Sequence, residues 1–363
     1  MHFQIEKSPL LNAINVVEKA ISSNNPLQIL AGVEIDVNKK HLTMTANNLE
    51  IAIRTTIPCN TLKPGKAILD GKLLTSLIRK LPEDNVVFEM KDKQVIITAG
   101  TMEFALNIIT EDEFPAFPDC NEKILALTDY ELHRLAQNSL FAAANDDMRP
   151  VLSGVLLEIS DGKLNFVATD SNRLSFVQAN TGEILSSDLH LIIPSKSLNE
   201  LMKCLPLDET MIEVFYGNNQ LAFRFDNTIF TTRLIEGNFP NYRPVIHTEQ
   251  AITVVMKRHQ LLQAIDRASL FDRGGSQPVI IQVTDGVLEI GMSTELGKSS
   301  EQFNVEHSGE NGSSAYSPKY ILDMLRTTDC DQIAFKFETG PRQALIKPAD
   351  SDDHLYILMP MRI

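Results

Sequence analysis

The chain has no tryptophan, and aromatic residues fill only 6% of its 363 positions. Binding of single-stranded bases by stacking on exposed rings is therefore poorly supported. Cysteine is scarce too. Cys59, Cys120, Cys204 and Cys330 stand far apart with no CxxC pair, the pattern of reduced thiols rather than of a disulfide framework or a zinc site. No window approaches the ~18 uninterrupted apolar residues of a membrane span. The start, Met1-His2-Phe3-Gln4-Ile5-Glu6-Lys7, alternates like a strand and lacks the basic and apolar regions of a signal peptide. These absences predict a cytoplasmic protein with no membrane partner. Eight histidines occur without HExxH spacing, and no serine sits in a G-x-S-x-G elbow, so no metal, cofactor or catalytic residue is expected. Basic charge is also in deficit. Lys and Arg number 33 against 47 Asp and Glu, a formal net charge of -14. That sum argues against nucleic acid, since phosphate contacts require cations. Distribution decides the matter, because an acidic exterior tolerates DNA on a basic inner surface.

What the chain does have is repetition. Leu30-Ala31-Gly32-Val33-Glu34-Ile35, Leu152-Ser153-Gly154-Val155-Leu156-Leu157 and Val279-Ile280-Ile281-Gln282-Val283 place one strand-and-turn unit at intervals of roughly 120 residues. Helical stretches recur later in each unit, at Leu73 to Pro82, Ser197 to Pro206 and Tyr320 to Asp329, with apolar residues at i, i+3, i+4 and i+7. Each unit also opens with a helix: after Ser8-Pro9 with Leu10, Leu11, Ile14, Val17 and Ile21 as its stripe; near Thr128 or Asp129; and after Met256 with Leu261, Leu262, Ile265 and Leu270. Alternating runs such as Leu164 to Val167 and Val287 to Ile290 follow the turn pairs Asp161-Gly162 and Asp285-Gly286. The order is strand, helix, strands, helix, strands. It predicts an α+β fold of three modules, residues 1–121, 122–247 and 248–363, each an antiparallel sheet with two helices.

The second helices, with expected caps at Asp70, Ser195 and Ser317, carry Lys72 and Arg79, Lys196 and Lys203, and Lys319 and Arg326, each pair seven apart. Seven residues is nearly two turns, so each pair shares one face opposite the apolar stripe. Cations on the wet face of an amphipathic helix need no partner. Their threefold recurrence also fits a phosphate track, although Glu200 and Asp323 stand four residues after a lysine and so invite pairing. A crescent of three modules leaves an unpaired strand edge at each end, which head-to-tail pairing with a second copy covers. Two weaker motifs are set aside. Gly297-Lys298-Ser299 lacks the earlier glycine of a phosphate loop, since Met292 stands there, and Asp350, Asp352 and Asp353 read as a solvated turn.

Thr169-Asp170-Ser171-Asn172-Arg173-Leu174, Phe239-Pro240-Asn241-Tyr242-Arg243 and the terminal Tyr356-Ile357-Leu358-Met359-Pro360-Met361-Arg362-Ile363 resemble the bacterial DNA polymerase III beta subunit family, the replicative sliding clamps. The resemblance runs end to end. It implies a head-to-tail homodimeric ring around double-stranded DNA, lined by helices, without catalytic activity of its own. It implies further that the polymerase III catalytic subunit, the clamp loader and other proteins with a clamp motif insert short peptides into an apolar groove. By resemblance that groove comprises Leu152, Thr169, Asn172, Arg173, Leu174, Pro240, Val245, Tyr320, Ile357, Met359, Pro360, Met361 and Arg362. Methionine suits such a surface, being pliable and polarizable. The subunit contact falls by resemblance on Phe104 and on Leu270-Phe271. Two departures stand out: Asn172 replaces a usual histidine, and a basic loop residue is missing near Asn24-Asn25-Pro26. Two other functions compete, a peptide-binding scaffold that does not enclose DNA and a hydrolase using Asp350 to Asp353 with a metal.

Overall fold

Two-residue turns with both residues left-handed set the rhythm of the chain. Asp161-Gly162 (φ 52° and 72°), Asp285-Gly286 (50° and 79°) and Asn218-Asn219 (51° and 58°) each reverse a strand with the twist that antiparallel pairs require. The computed structural model describes all residues except 23–26, 83–84, 110–112, 146–147, 181–187, 247–248, 273, 276 and 363. The departure noted at Asn24 to Pro26 lies outside the described residues. Helices are α1 (Lys7–Val17), α2 (Gly71–Lys80), α3 (Asp129–Leu140), α4 (Ser195–Met202), α5 (Arg243–Ile246), α6 (Arg258–Ser269) and α7 (Pro318–Thr327). All the strand pairs are antiparallel among the described residues, as the alternating runs predict.

The chain separates into two compact units. One holds residues 1–130 and 196–234. Its eight-stranded sheet runs Glu122–Thr128, Met211–Gly217, Gln220–Phe225, Thr228–Arg233, Ile51–Pro58, His41–Asn47, Gly32–Asn38 and Gly65–Asp70. Strands from the first and second repeats meet where Thr228 to Thr232 pair with Thr55 to Ile51, and the buried hydroxyls of Thr55 and Thr228 lie 3.0 Å apart. A five-stranded sheet ends in the edge strand Met102–Asn107. Helix α1 buries Leu10, Ala13, Ile14 and Val17, and α2 buries Leu74, Thr75 and Ile78. Gly71 lets α2 start hard against its neighbours, since a Cβ there would sit 2.2 Å from Ile21 Cδ1.

The other unit holds residues 131–195 and 235–363. Its nine-stranded sheet runs Leu189–Pro194, Gly154–Ser160, Lys163–Thr169, Arg173–Asn180, His354–Leu358, Ala344–Pro348, Gln332–Phe337, Ile252–Lys257 and Glu306–Gly309. Here the second and third repeats join through Arg173 to Val177 against Leu358 to His354. A four-stranded sheet ends in the edge strand Gly297–Asn304. Leu261 and Ile265 of α6 and Ile321 and Leu325 of α7 share one core with Tyr316, Phe335, Phe337 and Tyr356.

Several local expectations need correction. Helix α1 starts at Lys7 with Glu6 at its N-cap, so Ser8 and Pro9 fall inside its first turn. The strand His2–Glu6 pairs through Glu6 with Asn85 and runs straight into the helix, leaving no room for a serine cap. Pro9 is tolerated there because first-turn N–H groups have no helical partner. Asp70 caps α2 as expected, its carboxylate accepting from Leu73 N at 2.7 Å. Ser195 is instead the first helical residue of α4, and Ser317 occupies the N-cap of α7 without a side-chain bond. Leu270 leaves the stripe of its helix and is 76% exposed. Gly297-Lys298-Ser299 lies in a strand, which rules out a phosphate loop. Lys347 binds Asp352, and no group of three His, Cys, Asp or Glu among the described residues is placed to hold a metal.

His354, at the seam where the last strand meets Arg173–Asn180, is buried with Nε2 3.3 Å from Ser175 Oγ and Nδ1 3.4 Å from Thr328 Oγ1. Burial, reinforced by the charge of Arg134, lowers its pKa from 6.5 to about 4. The folded chain thus refuses a proton that the unfolded chain accepts below pH 6.5. The stability this neutral imidazole contributes is complete above pH 6.5 and is lost as the pH falls toward 4, at up to about 1.4 kcal/mol per pH unit and roughly 3 kcal/mol in all. Denaturant unfolding of wild type and His354→Gln at pH 7, 5 and 4 checks this. The wild type loses more stability than the variant across that range; parallel losses would contradict it.

Candidate peptide groove and basic helix faces

The groove residues all fall in the second unit, gathered by the seam strand and a tight turn. At Asp170-Ser171-Asn172 the backbone reverses with Ser171 at φ 79°. Asp170 holds the turn: Oδ1 accepts from Asn172 N (2.9 Å) and Arg173 N (3.0 Å), the local bonding at which a short carboxylate excels. Thr169 Oγ1 donates to Arg173 O at 2.6 Å. Arg173 then reaches inward. Its Nε donates to Asp170 Oδ2 at 3.1 Å, its Nη1 to Asp323 Oδ2 at 2.6 Å, and its guanidinium lies 4.4 Å over the Tyr320 ring. Arg173 is only 6% exposed, and its guanidinium is engaged with the protein through Nε and Nη1. It braces the Asp170–Arg173 turn, as does the buried Thr169 through its bond to Arg173 O.

The floor is apolar. Leu174 and Ile357, paired across the seam, belong to a buried cluster with Leu156, Phe176, Tyr242, Ile246 and Leu345, against which Val245 packs. Leu152 is buried, Pro240 exposed and Tyr320 half-buried. The chain then leaves the sheet but stays tied to it: Met359 N donates to Asn172 O (2.9 Å) and Met361 N to Ala315 O (2.8 Å). Met359 is 44% exposed, Pro360 and Met361 are half-buried, and Arg362 is exposed. Asn172 is exposed at the turn, so its side chain faces solvent rather than the fold. All thirteen positions are thus brought into one unit, some as surface and some as support.

A feature that periodicity missed lies beneath Pro240. Glu158 is 2% exposed in the strand Gly154–Ser160, yet four donors reach it: Tyr242 Oη, Asn165 Nδ2 (3.0 Å), His190 Nε2 (2.8 Å) and Arg243 Nη2 (3.1 Å). Burial alone would raise its pKa, but the bonds from Tyr242, Asn165 and Arg243 outweigh this and hold it below the ordinary glutamate value. Burial and the adjacent carboxylate push the Tyr242 phenol up. One signal was available: a lone glutamate in the apolar run Val155-Leu156-Leu157-Glu158-Ile159 must find partners or unfold the strand.

The basic faces divide in two. Lys72, Lys196 and Lys319 are exposed and form no ion pair among the described residues. The other member of each pair is engaged: Arg79 with Glu18 (2.7 Å), Lys203 with Glu200 (2.6 Å) and Arg326 with Asp266 (2.8 Å). This corrects the pairing expected from spacing, because Glu200 takes Lys203 rather than Lys196, and Asp323 takes Arg173 rather than Lys319. Phe104 is half-buried on the edge strand Met102–Asn107. Phe271 is half-buried beside the other edge, its ring carbon Cε1 3.0 Å from where a Cβ would stand on Gly297.

Three family models cover almost the whole chain: the N-terminal, central and C-terminal domains of the DNA polymerase III beta subunit, at residues 1–118, 126–241 and 243–362. The chain belongs to the DNA polymerase III beta subunit family. It therefore consists of three beta-clamp domains, and its function is that of a processivity clamp. The beta sliding clamp of Halalkalibacterium halodurans is 32% identical over 382 residues, covering 100% of both chains. The solved DNA polymerase sliding clamp from Bacillus subtilis superimposes with a TM-score of 0.96 at 29% identity, over 100% of this chain and 99% of that one. The sliding clamp from Pseudomonas aeruginosa bound to griselimycin gives 0.96 at 26% identity, with 100% of each chain covered.

Proposed function

We propose that two copies of the chain close head to tail into a ring that encircles duplex DNA without sequence preference and tethers the replicative polymerase to it. In this reading the modules are residues 1–121, 122–247 and 248–363, and the ring slides in the cytoplasm with no catalytic step of its own. Retention by enclosure needs no base readout, and diffuse attraction to phosphate leaves the duplex mobile. The observation that carries the reading is the set of Lys72, Lys196 and Lys319, at equivalent points of three repeated helices and without an ion pair among the described residues. The edge strands Met102–Asn107, which carries Phe104, and Gly297–Asn304, beside Leu270 and Phe271, support the head-to-tail contact, since open edges invite strand pairing. The groove of Leu152, Thr169, Asn172, Arg173, Leu174, Pro240, Val245, Tyr320, Ile357, Met359, Pro360, Met361 and Arg362 receives peptides of the polymerase III catalytic subunit, the clamp loader and other clamp-motif proteins. It also takes griselimycin, the compound bound by the Pseudomonas aeruginosa clamp.

The salt dependence of DNA association separates the two classes of cation. Each lysine that meets phosphate adds ~0.9 to the log–log slope. Changing Lys72, Lys196 and Lys319 together to alanine lowers the slope by at least about 2, whereas changing Arg79, Lys203 and Arg326 lowers it less, because their charge is already offset. A larger loss from the second set would place the DNA face elsewhere.

A further inference from the structure

The segment from Gly237 to Ile246 carries two groove residues, Pro240 and Val245, yet contains no strand and only the four-residue helix α5. Its geometry is built on Tyr242. Val245 N (3.0 Å) and Ile246 N (3.4 Å) both donate to Tyr242 O, so α5 turns about that residue. The Tyr242 ring packs 5.8 Å from Phe176 within the cluster that includes the groove-floor residues Leu174 and Ile357. Its hydroxyl ends on Glu158, and Arg243 binds the same carboxylate.

Glu158 is held from three directions. Asn165 and His190 sit on the two neighbouring strands, directly across from it in register, and fix the carboxylate to the sheet. Tyr242 and Arg243 then fix the segment to the carboxylate. Desolvating an ion this far is unfavourable before its bonds are counted, and an aliphatic residue of similar volume often does as well for stability alone. Glu158, His190, Tyr242 and Arg243 themselves line a pocket of about 310 Å³, together with Leu156 and Pro240. A segment released from Glu158 has that space to sink into, carrying the groove wall with it.

We propose that Glu158 is a positioning residue of the groove: through Tyr242 and Arg243 it holds the Pro240–Val245 wall in place and so sets how tightly a ligand is gripped. The proposal rests on the groove assignment made above. Glu158 need not touch the ligand; it acts by keeping the competent arrangement populated, and apparent affinity falls in proportion to any loss of that population.

The test is calorimetric titration of the full chain with griselimycin, at a temperature where every variant is folded. Tyr242→Phe removes one oxygen and keeps the ring; it weakens binding by about tenfold, as for a wall in place about a tenth of the time. Glu158→Gln, whose amide oxygen still accepts from Tyr242 but whose NH2 cannot accept from Arg243, falls between wild type and Tyr242→Phe, while Glu158→Leu weakens binding at least as much as Tyr242→Phe. Combining Glu158→Leu with Tyr242→Phe adds nothing further, since both break one tether. Deletion of Met359 to Arg362 serves as the control for the groove itself. If the deletion loses binding while Tyr242→Phe matches wild type, the proposal is overturned and the groove stands. If the deletion binds normally, the groove assignment fails and the proposal with it. A lowered melting temperature with unchanged affinity makes Glu158 merely structural and likewise overturns it. Tyr242→Phe decides the matter even if Glu158→Leu does not fold.

Discussion

Replacing Leu270 and Phe271 together by alanine converts the proposed dimer to a monomer in sedimentation velocity at micromolar concentration. Leu270 is 76% exposed, an unfavourable place for leucine unless something covers it, and Phe271 lies against Gly297 at the start of an edge strand. Buried apolar anchors of this kind contribute ~2 kcal/mol or more each, so each contact loses about 4 kcal/mol, on the order of a thousandfold in dissociation constant. The fold itself is spared, because Leu270 lies outside the core and Phe271 only packs against its margin. Circular dichroism of the variant therefore matches wild type. A dimer that survives the double substitution would remove these residues from the interface.

Truncation before Met359 abolishes ligand binding and leaves the proposed dimer intact. The seam strand ends at Leu358, so its pairing with Arg173–Asn180 survives the cut. What goes is the tail tied through Met359 N to Asn172 O and through Met361 N to Ala315 O. With both methionines gone the groove loses one wall, and griselimycin affinity falls by at least about a hundredfold, as expected when central contacts of a pocket are removed. Retained affinity would place the binding surface elsewhere on the chain.

Much of this was legible in the residues before any coordinates. Turn pairs such as Asp161-Gly162 reverse strands because aspartate and glycine accept left-handed backbone, and the alternating runs beside them are strands as expected. Residues at helical spacing, such as Leu74 and Ile78, went inward for the same elementary reason. Partnership was not legible. Spacing along one helix suggests that Glu200 and Asp323 offset Lys196 and Lys319, whereas Glu200 goes to Lys203 three residues on and a long-range contact gives Asp323 to Arg173, 150 residues away in sequence. Local bonding likewise overruled a favoured cap, since the first strand runs into α1 without the break that Ser8 would need.

The groove shows the same division between residue type and role. Arg173 and Thr169 are buried, and their bonds tie them to the Asp170–Arg173 turn and to Asp323. Glu158 was absent from the expected set because a single acid in an apolar strand has no periodicity to betray it. Its significance appears only when Asn165, His190, Tyr242 and Arg243 converge on it.

Enclosure of DNA is the claim on which the account turns, and topology tests it most directly. Once loaded onto nicked circular duplex by the clamp loader, the wild-type protein should remain bound through gel filtration at salt high enough to screen phosphate contacts. Cutting the circle once should then release it within the time of the experiment, as the ring runs off the ends. Equal retention on circular and linear DNA, or loss from both, would contradict the account.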